Sequence, residues 1–225
     1  MKSSRDVRGS HSIEGASFAG LLFAVLSFVA LLLLNSAPDL SAPDSELTDW
    51  YSDPANRSSL TVGLSLSVVS AVSFLWFVAV IRRRVGDRED RFFATVFLGS
   101  GILLTGVMLV GATTLASGAV TVDLADGRIP DASVLAALTG LGTSLLLFVL
   151  LRVQAVFVVS TSTLALRSNA FSRWLSYFGY GIALVMFFMP ILSEPVGLAF
   201  PVWVGILSIA LLIRRSDIIP DRERT

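Results

Sequence analysis

Apolar residues run along this chain in six long blocks, separated by short polar stretches. The blocks are approximately Ala16–Leu34, Leu60–Ile81, Phe92–Ala116, Val134–Leu166, Trp174–Leu192 and Val196–Ile213. None shows the strict apolar/polar alternation of a half-buried strand, and each is far longer than a strand. About 20 apolar residues in helical conformation cross the hydrocarbon core of a bilayer. A helix satisfies its own backbone polar groups there, which an open strand cannot do. The pattern therefore predicts an all-α fold, a polytopic membrane protein built as a bundle of six transmembrane helices. Residues 1–15 and 214–225 read as polar tails flanking a transmembrane domain over 16–213. The first block is longer than the roughly 7–15 residues of a signal-peptide core, so it reads as a signal-anchor.

Composition agrees with this picture. Of the 225 residues 54% are hydrophobic and only 15% charged, against about 25% charged in a soluble domain. Cysteine is absent, which removes disulfides, thiolate metal sites and a cysteine nucleophile. The one histidine, His11, falls in the N-terminal tail.

Charge placement sets the expected orientation. Lys2, Arg5, Arg8, Arg82, Arg83, Arg84, Arg88, Arg91, Arg167, Arg173, Arg214, Arg215, Arg222 and Arg224 share one side, fourteen of the 17 basic residues. Arg57 and Arg128 fall on the other side, and Arg152 lies within the fourth block. Basic residues in short connections stay cytoplasmic, so both termini are expected inside, in a plasma membrane of bacterial type. The opposite face carries Asp39, Asp44, Glu46, Asp49, Asp53, Asp123, Asp126, Asp131 and Glu194, acids that collect where basic residues are excluded. The longest outer connection, Asn35 to Ser59, repeats Ser-Ala-Pro-Asp at Ser36 and Ser41, a turn-forming step. Trp50 and Tyr51 near its end are expected at headgroup level as an aromatic anchor. Ser193-Glu194-Pro195 reads as a tight outer hairpin, flanked by Pro190 and Pro201.

Burial of apolar surface does not drive helix pairing in lipid, so small residues that allow close approach are expected to. They recur as Ala16, Gly20 and Ala24, as Gly63, Ser67 and Ala71, and most densely as Gly99, Gly101, Thr105, Gly106 and Gly111. The third block is therefore expected at the centre of the bundle.

Catalytic chemistry finds no residues here. There is no base for a membrane serine nucleophile, no intramembrane metal ligand set and no phosphate-cradling Gly-x-x-x-x-Gly-Lys-Ser/Thr. No Asp or Glu lies in any of the six blocks, although proton-coupled transport usually uses one. The reading is not an enzyme, with no cofactor and no metal. Arg152, with Gln154 two residues on, is the one chemical signal within the membrane blocks, and these two form the candidate ligand site. The fourth block is about 50 Å long at 1.5 Å per residue. Either it spans over Val134–Val153 and continues into the cytoplasm, leaving Arg152 as an interfacial anchor, or it is a long tilted helix with Arg152 deep inside. In the second case the guanidinium is expected to face the bundle and to favour an anion.

The runs Trp50-Tyr51-Ser52-Asp53-Pro54-Ala55-Asn56-Arg57, Phe74-Leu75-Trp76-Phe77, Ala165-Leu166-Arg167-Ser168-Asn169-Ala170-Phe171-Ser172-Arg173-Trp174-Leu175 and Pro201-Val202-Trp203 occur in an order that resembles a group of six-helix integral membrane proteins common in actinobacteria. The resemblance covers roughly residues 15–215, and that group brings no established activity. Ser172 stands where the group often has proline. The functional expectation is a non-catalytic membrane component or subunit of a larger assembly, with the lipid bilayer and other membrane proteins as partners and no nucleic acid. The alternative is a facilitator or binding protein for a small anionic solute or lipid, using Arg152.

Overall fold

The computed structural model describes residues 3–85, 91–168, 173–188 and 197–216. The regular structure among these residues is helical, with α1 Ser3–Leu34, α2 Asp44–Ser52, α3 Pro54–Val85, α4 Arg91–Leu124, α5 Ala132–Ser144, α6 Leu151–Ser168, α7 Arg173–Phe188 and α8 Ala199–Ser216. A π-helical turn, Leu145–Leu150, joins α5 to α6 without a break, so the fourth block forms one long rod. Among the described residues four helical stretches are long and apolar enough to cross a membrane: Ser17–Leu34, Pro54–Arg82, Ala94–Leu124 and Ala132–Arg167. The described apolar parts of the last two blocks are shorter: α7 has 16 residues, and the apolar part of α8 is Ala199–Ile213. The hairpin at Ser193-Glu194-Pro195, and Pro190 beside it, lie outside the described residues. Pro201 falls in the first turn of α8, where a missing N–H costs no intrahelical bond, so it starts the helix instead of kinking it.

Helix α4 is central, as its glycines suggest, and packs on α3, α5, the π turn and α6. The glycines divide by face. A Cβ on Gly101 would touch Phe157 and Val78, and one on Gly111 would meet Leu146 at 2.5 Å, whereas Gly99 and Gly106 face open space. Two contacts that spacing did not single out press on atoms that yield less. A Cβ on Gly142 would lie 2.9 Å from the backbone nitrogen of Leu115, and one on Gly118 would lie 3.0 Å from the Tyr51 ring. On the other flank α1 packs along α3 and α8, tied by Ser27 and Ser70, whose hydroxyls are 2.6 Å apart. An aromatic cluster fills the middle of the bundle. Phe74 lies 4.8 Å from Phe23 and 5.1 Å from Phe157 between ring centroids, and Phe200 of α8 closes on all three.

The long connection Asn35 to Ser59 is not an irregular loop. It contains α2, a short polar helix with Leu47 and Tyr51 buried. Tyr51 is therefore no headgroup anchor. Its ring is buried against Gly118 and Leu135, and burial raises its phenol above the ordinary 10.0, opposed by a hydrogen bond to Thr139. Arg57 holds this end together. Its Nε lies 2.7 Å from Asp123 Oδ1, and its Nη1 donates to the carbonyls of Tyr51 at 2.8 Å and Ser52 at 3.0 Å. One side chain thus joins α2, the start of α3 and the end of α4. Helix α4 then stops at a turn with Asp126 at φ 52° and Gly127 at φ 84°, where the Gly127 N–H reaches back to the Val122 carbonyl, a left-handed helix stop.

Candidate functional site

The π turn is where the bundle opens. An α-helix forced into i→i+5 bonding gains a residue and shifts the faces that follow, and such turns occur frequently at functional sites. Here the turn presses Leu146 against α4 at Gly111, which has no side chain to oppose it. Beside it lies a cavity of about 400 Å³. Leu31, Leu32 and Asn35 at the end of α1 form one wall, and Leu115 of α4 forms the back. Thr143, Leu146, Leu147 and Leu150 of the rod form the opposite wall, continued by Leu151 and Gln154, with Gly197 and Leu198 at the foot of α8. The lining is aliphatic apart from Asn35, Thr143 and Gln154, and none of these residues carries a charge.

Gln154 is the chemical feature of this cavity. It is only 4% exposed, and its Oε1 has no hydrogen-bond partner. A buried acceptor left unpaired costs about 1–3 kcal/mol, so the amide favours any occupant that brings a donor to it. Gln154 also borders a smaller pocket of about 20 Å³, walled by Ser27, Ser67, Met108 and Pro201 among others. Such a space holds about one water. Ser67 already donates to the Gly63 carbonyl at 2.8 Å, and Ser27 is engaged with Ser70.

Arg152 does not share this site. Two residues along a helix turn the side chain to another face, and the rod directs Gln154 inward and Arg152 outward. Arg152 is half-buried on a stripe that includes Phe148, 46% exposed, and the exposed Val149, Val156 and Val159. Its Nη1 donates to the Phe148 carbonyl one turn back, and its guanidinium carbon lies 5.8 Å from the Phe148 ring centroid. Both partners belong to its own helix. The expectation that this guanidinium faces the bundle is corrected, and so is the joining of Arg152 with Gln154 into one site. The physical reason is packing: the contacts of Leu146 at Gly111 and of Phe157 with Phe97 fix the rotation of the rod on α4, and Arg152 falls off that face.

The second half of the rod does not stand apart from the bundle. Phe157 stacks on Phe97 at 5.0 Å, and Thr163 bonds Tyr180 of α7 at 2.8 Å, so α6 is part of the bundle. Arg152 is therefore at mid-height. It lies roughly 20 Å along the rod from Thr139, which meets Tyr51 of α2, and about as far from Arg167. At the centre of a membrane an arginine costs about 2.5–3.5 kcal/mol on insertion scales.

A second polar cluster sits between α6, α7 and α8. Ser162 Oγ, Ser176 Oγ and Trp203 Nε1 are buried without partners, around a void of about 10 Å³. Gly179 brings α7 close enough that its Cβ position would overlap Ser162 Oγ. This space is at the lower limit for a single water, too small for a ligand. Among the described residues no group of three or more His, Cys, Asp or Glu could hold a metal ion.

No family matches the chain, and comparison with curated proteins and with solved structures gives no match.

Proposed function

We propose that this chain is a non-catalytic, six-span plasma-membrane protein that holds an uncharged amphiphile in the cavity at the π turn. The observation that carries the reading is the unpaired, buried Gln154 oxygen on the wall of a cavity of about 400 Å³ lined by leucines. Apolar walls with one or two placed polar groups are the usual make-up of a small-molecule site. The occupant that suits it has an aliphatic chain for the leucines and a hydroxyl or N–H for Gln154. An anionic headgroup does not suit it, because Arg152 points away and no cation lines the wall. In this reading the last two apolar blocks complete the fifth and sixth spans. Both termini lie in the cytoplasm, in keeping with fourteen basic residues on one side against two on the other.

Thermal stability of the detergent-solubilised protein tests the ligand class. A ligand that binds only the folded state stabilises it by about 2.7 kcal/mol at one hundred times its dissociation constant. Hexadecanol should raise the melting temperature, and its methyl ether, which lacks the donor, should raise it less. Hexadecanol that acts no differently on the Gln154→Leu variant would sink the reading. Orientation is tested by cysteine labelling in intact cells, which is clean because the natural chain has no cysteine. Ser45→Cys should react with an impermeant maleimide from outside, and Gly86→Cys should not.

A further inference from the structure

The outward stripe of the rod has a chemistry of its own. Phe148, Val149, Val156 and Val159 are exposed apolar residues at helical spacing, and Arg152 sits in their middle. Residues at such spacing line one face and make a seam for a facing helix. The arginine has one carbonyl and one ring for company, both from its own helix, while a guanidinium has five N–H donors to satisfy. A rod centred on the bilayer puts about 15 Å of hydrocarbon on either side of Arg152, more than its side chain spans. The chain cannot supply a counter-charge itself, because no Asp or Glu lies in any apolar block. A second copy has the same lack, and pairing the stripe with itself would set arginine against arginine.

We propose that this stripe is the docking surface for a transmembrane helix of a different membrane protein, one that carries an Asp or Glu at mid-membrane depth. A carboxylate there meets the free N–H fork bidentately, as arginine prefers, and the shoulders Phe148 and Val156 pack against the partner's neighbouring turns. Intramembrane ionisable residues commonly pair with one another, and a lipid-facing arginine without an acid in its own bundle finds that partner in trans. The inference rests on the rod being a membrane span and is independent of the cavity.

The test uses the full chain in phosphatidylcholine vesicles with single-span, leucine-rich peptides bearing Asp, Asn or Leu at the central position. Association is read by energy transfer between labelled protein and peptide. The Asp peptide should bind at least about tenfold more tightly than the Leu peptide, with Asn between them. Arg152→Leu should bring the Asp peptide down to the Leu level, and Arg152→Lys should retain part of the preference. Equal binding of Asp and Leu peptides, or a preference that survives Arg152→Leu, overturns the proposal. A photocrosslinking residue at Val156 gives a second readout in native membranes. An adduct to another protein that disappears with Arg152→Leu supports docking, whereas adducts only to a second copy of this chain or only to lipid contradict it. If Ser45 and Gly86 label as stated above, a failed peptide preference rejects the docking surface while the membrane reading stands.

Discussion

Gln154 and Arg152 stand two residues apart on one continuous rod and meet opposite surroundings. The inward face, with Leu146, Leu150 and Gln154, is packed on α4 and lines the cavity. The outward face, with Phe148, Val149, Arg152 and Val156, touches no other described helix closely enough to bury it. The inward face is uncharged yet has an unpaired acceptor, and the outward face is apolar yet carries a charge. Each face thus departs from its surroundings by one polar group, and the two departures differ in kind. An unpaired amide oxygen in a closed interior is answered by a small donor that can enter. A charge on an open surface is answered by another macromolecule or not at all.

Substitutions on the two faces should separate these roles. The largest effect is expected at Arg152. Replacing it with leucine should improve insertion of the Ala132–Arg167 segment by about 2.5–3.5 kcal/mol in a translocon assay, while leaving hexadecanol stabilisation of the whole protein unchanged. A loss of that stabilisation would mean the faces are not independent. Next is Gly142→Ala. Its methyl would be placed 2.6 Å from Leu115 Cγ and 2.9 Å from the Leu115 backbone nitrogen, and backbone does not yield as a side-chain tip does. A loss of about 1–3 kcal/mol is expected in detergent unfolding, against almost none for Gly106→Ala, which meets nothing within 4 Å.

Gln154→Leu comes third and has the opposite sign. Removing an unpaired buried acceptor should stabilise the ligand-free protein by about 1 kcal/mol, measured in the same unfolding series. Destabilisation would mean that Gln154 already has its partner, such as a fixed water in the adjoining 20 Å³ pocket. The smallest effect is at Val149→Ala on the outward stripe, within about 0.5 kcal/mol of the natural protein. A larger loss would show that this face is already covered by another part of the molecule.

Much of the architecture was legible because span length and apolarity are properties of composition. The first four blocks appear as helices able to cross a membrane, with α4 at the centre. What escaped was whatever depends on which face meets a neighbour. The sequence treats Gly99, Gly101, Gly106 and Gly111 alike as small residues of one block, but only Gly101 and Gly111 make contacts, and Gly142, the tightest against backbone, has no such pattern about it. Helix α2 was read as loop because Pro38, Pro43 and a run of acids mask a short helix held mainly by the burial of Leu47 and Tyr51. The π turn has no sequence signal at all, since Leu-Leu-Leu-Phe-Val-Leu suits an α-helix equally well. For the site, the sequence reading joined Gln154 with Arg152, although two-residue spacing sets them on different faces. Which of the two turned inward was decided by how the rod packs on α4, and the sequence reading instead favoured the charge.

The central claim, that the cavity at Gln154 admits an uncharged donor-bearing amphiphile, is tested most directly by mapping where such a molecule sits. A long-chain alcohol carrying a diazirine along its chain, in vesicles containing the protein, should label the peptide that holds Leu146, Leu150 and Leu151. Labelling should be about tenfold above that of the matching methyl ether, and Gln154→Leu should erase the difference. Equal labelling by alcohol and ether, or labels confined to the outward stripe around Phe148 and Val156, would contradict the account.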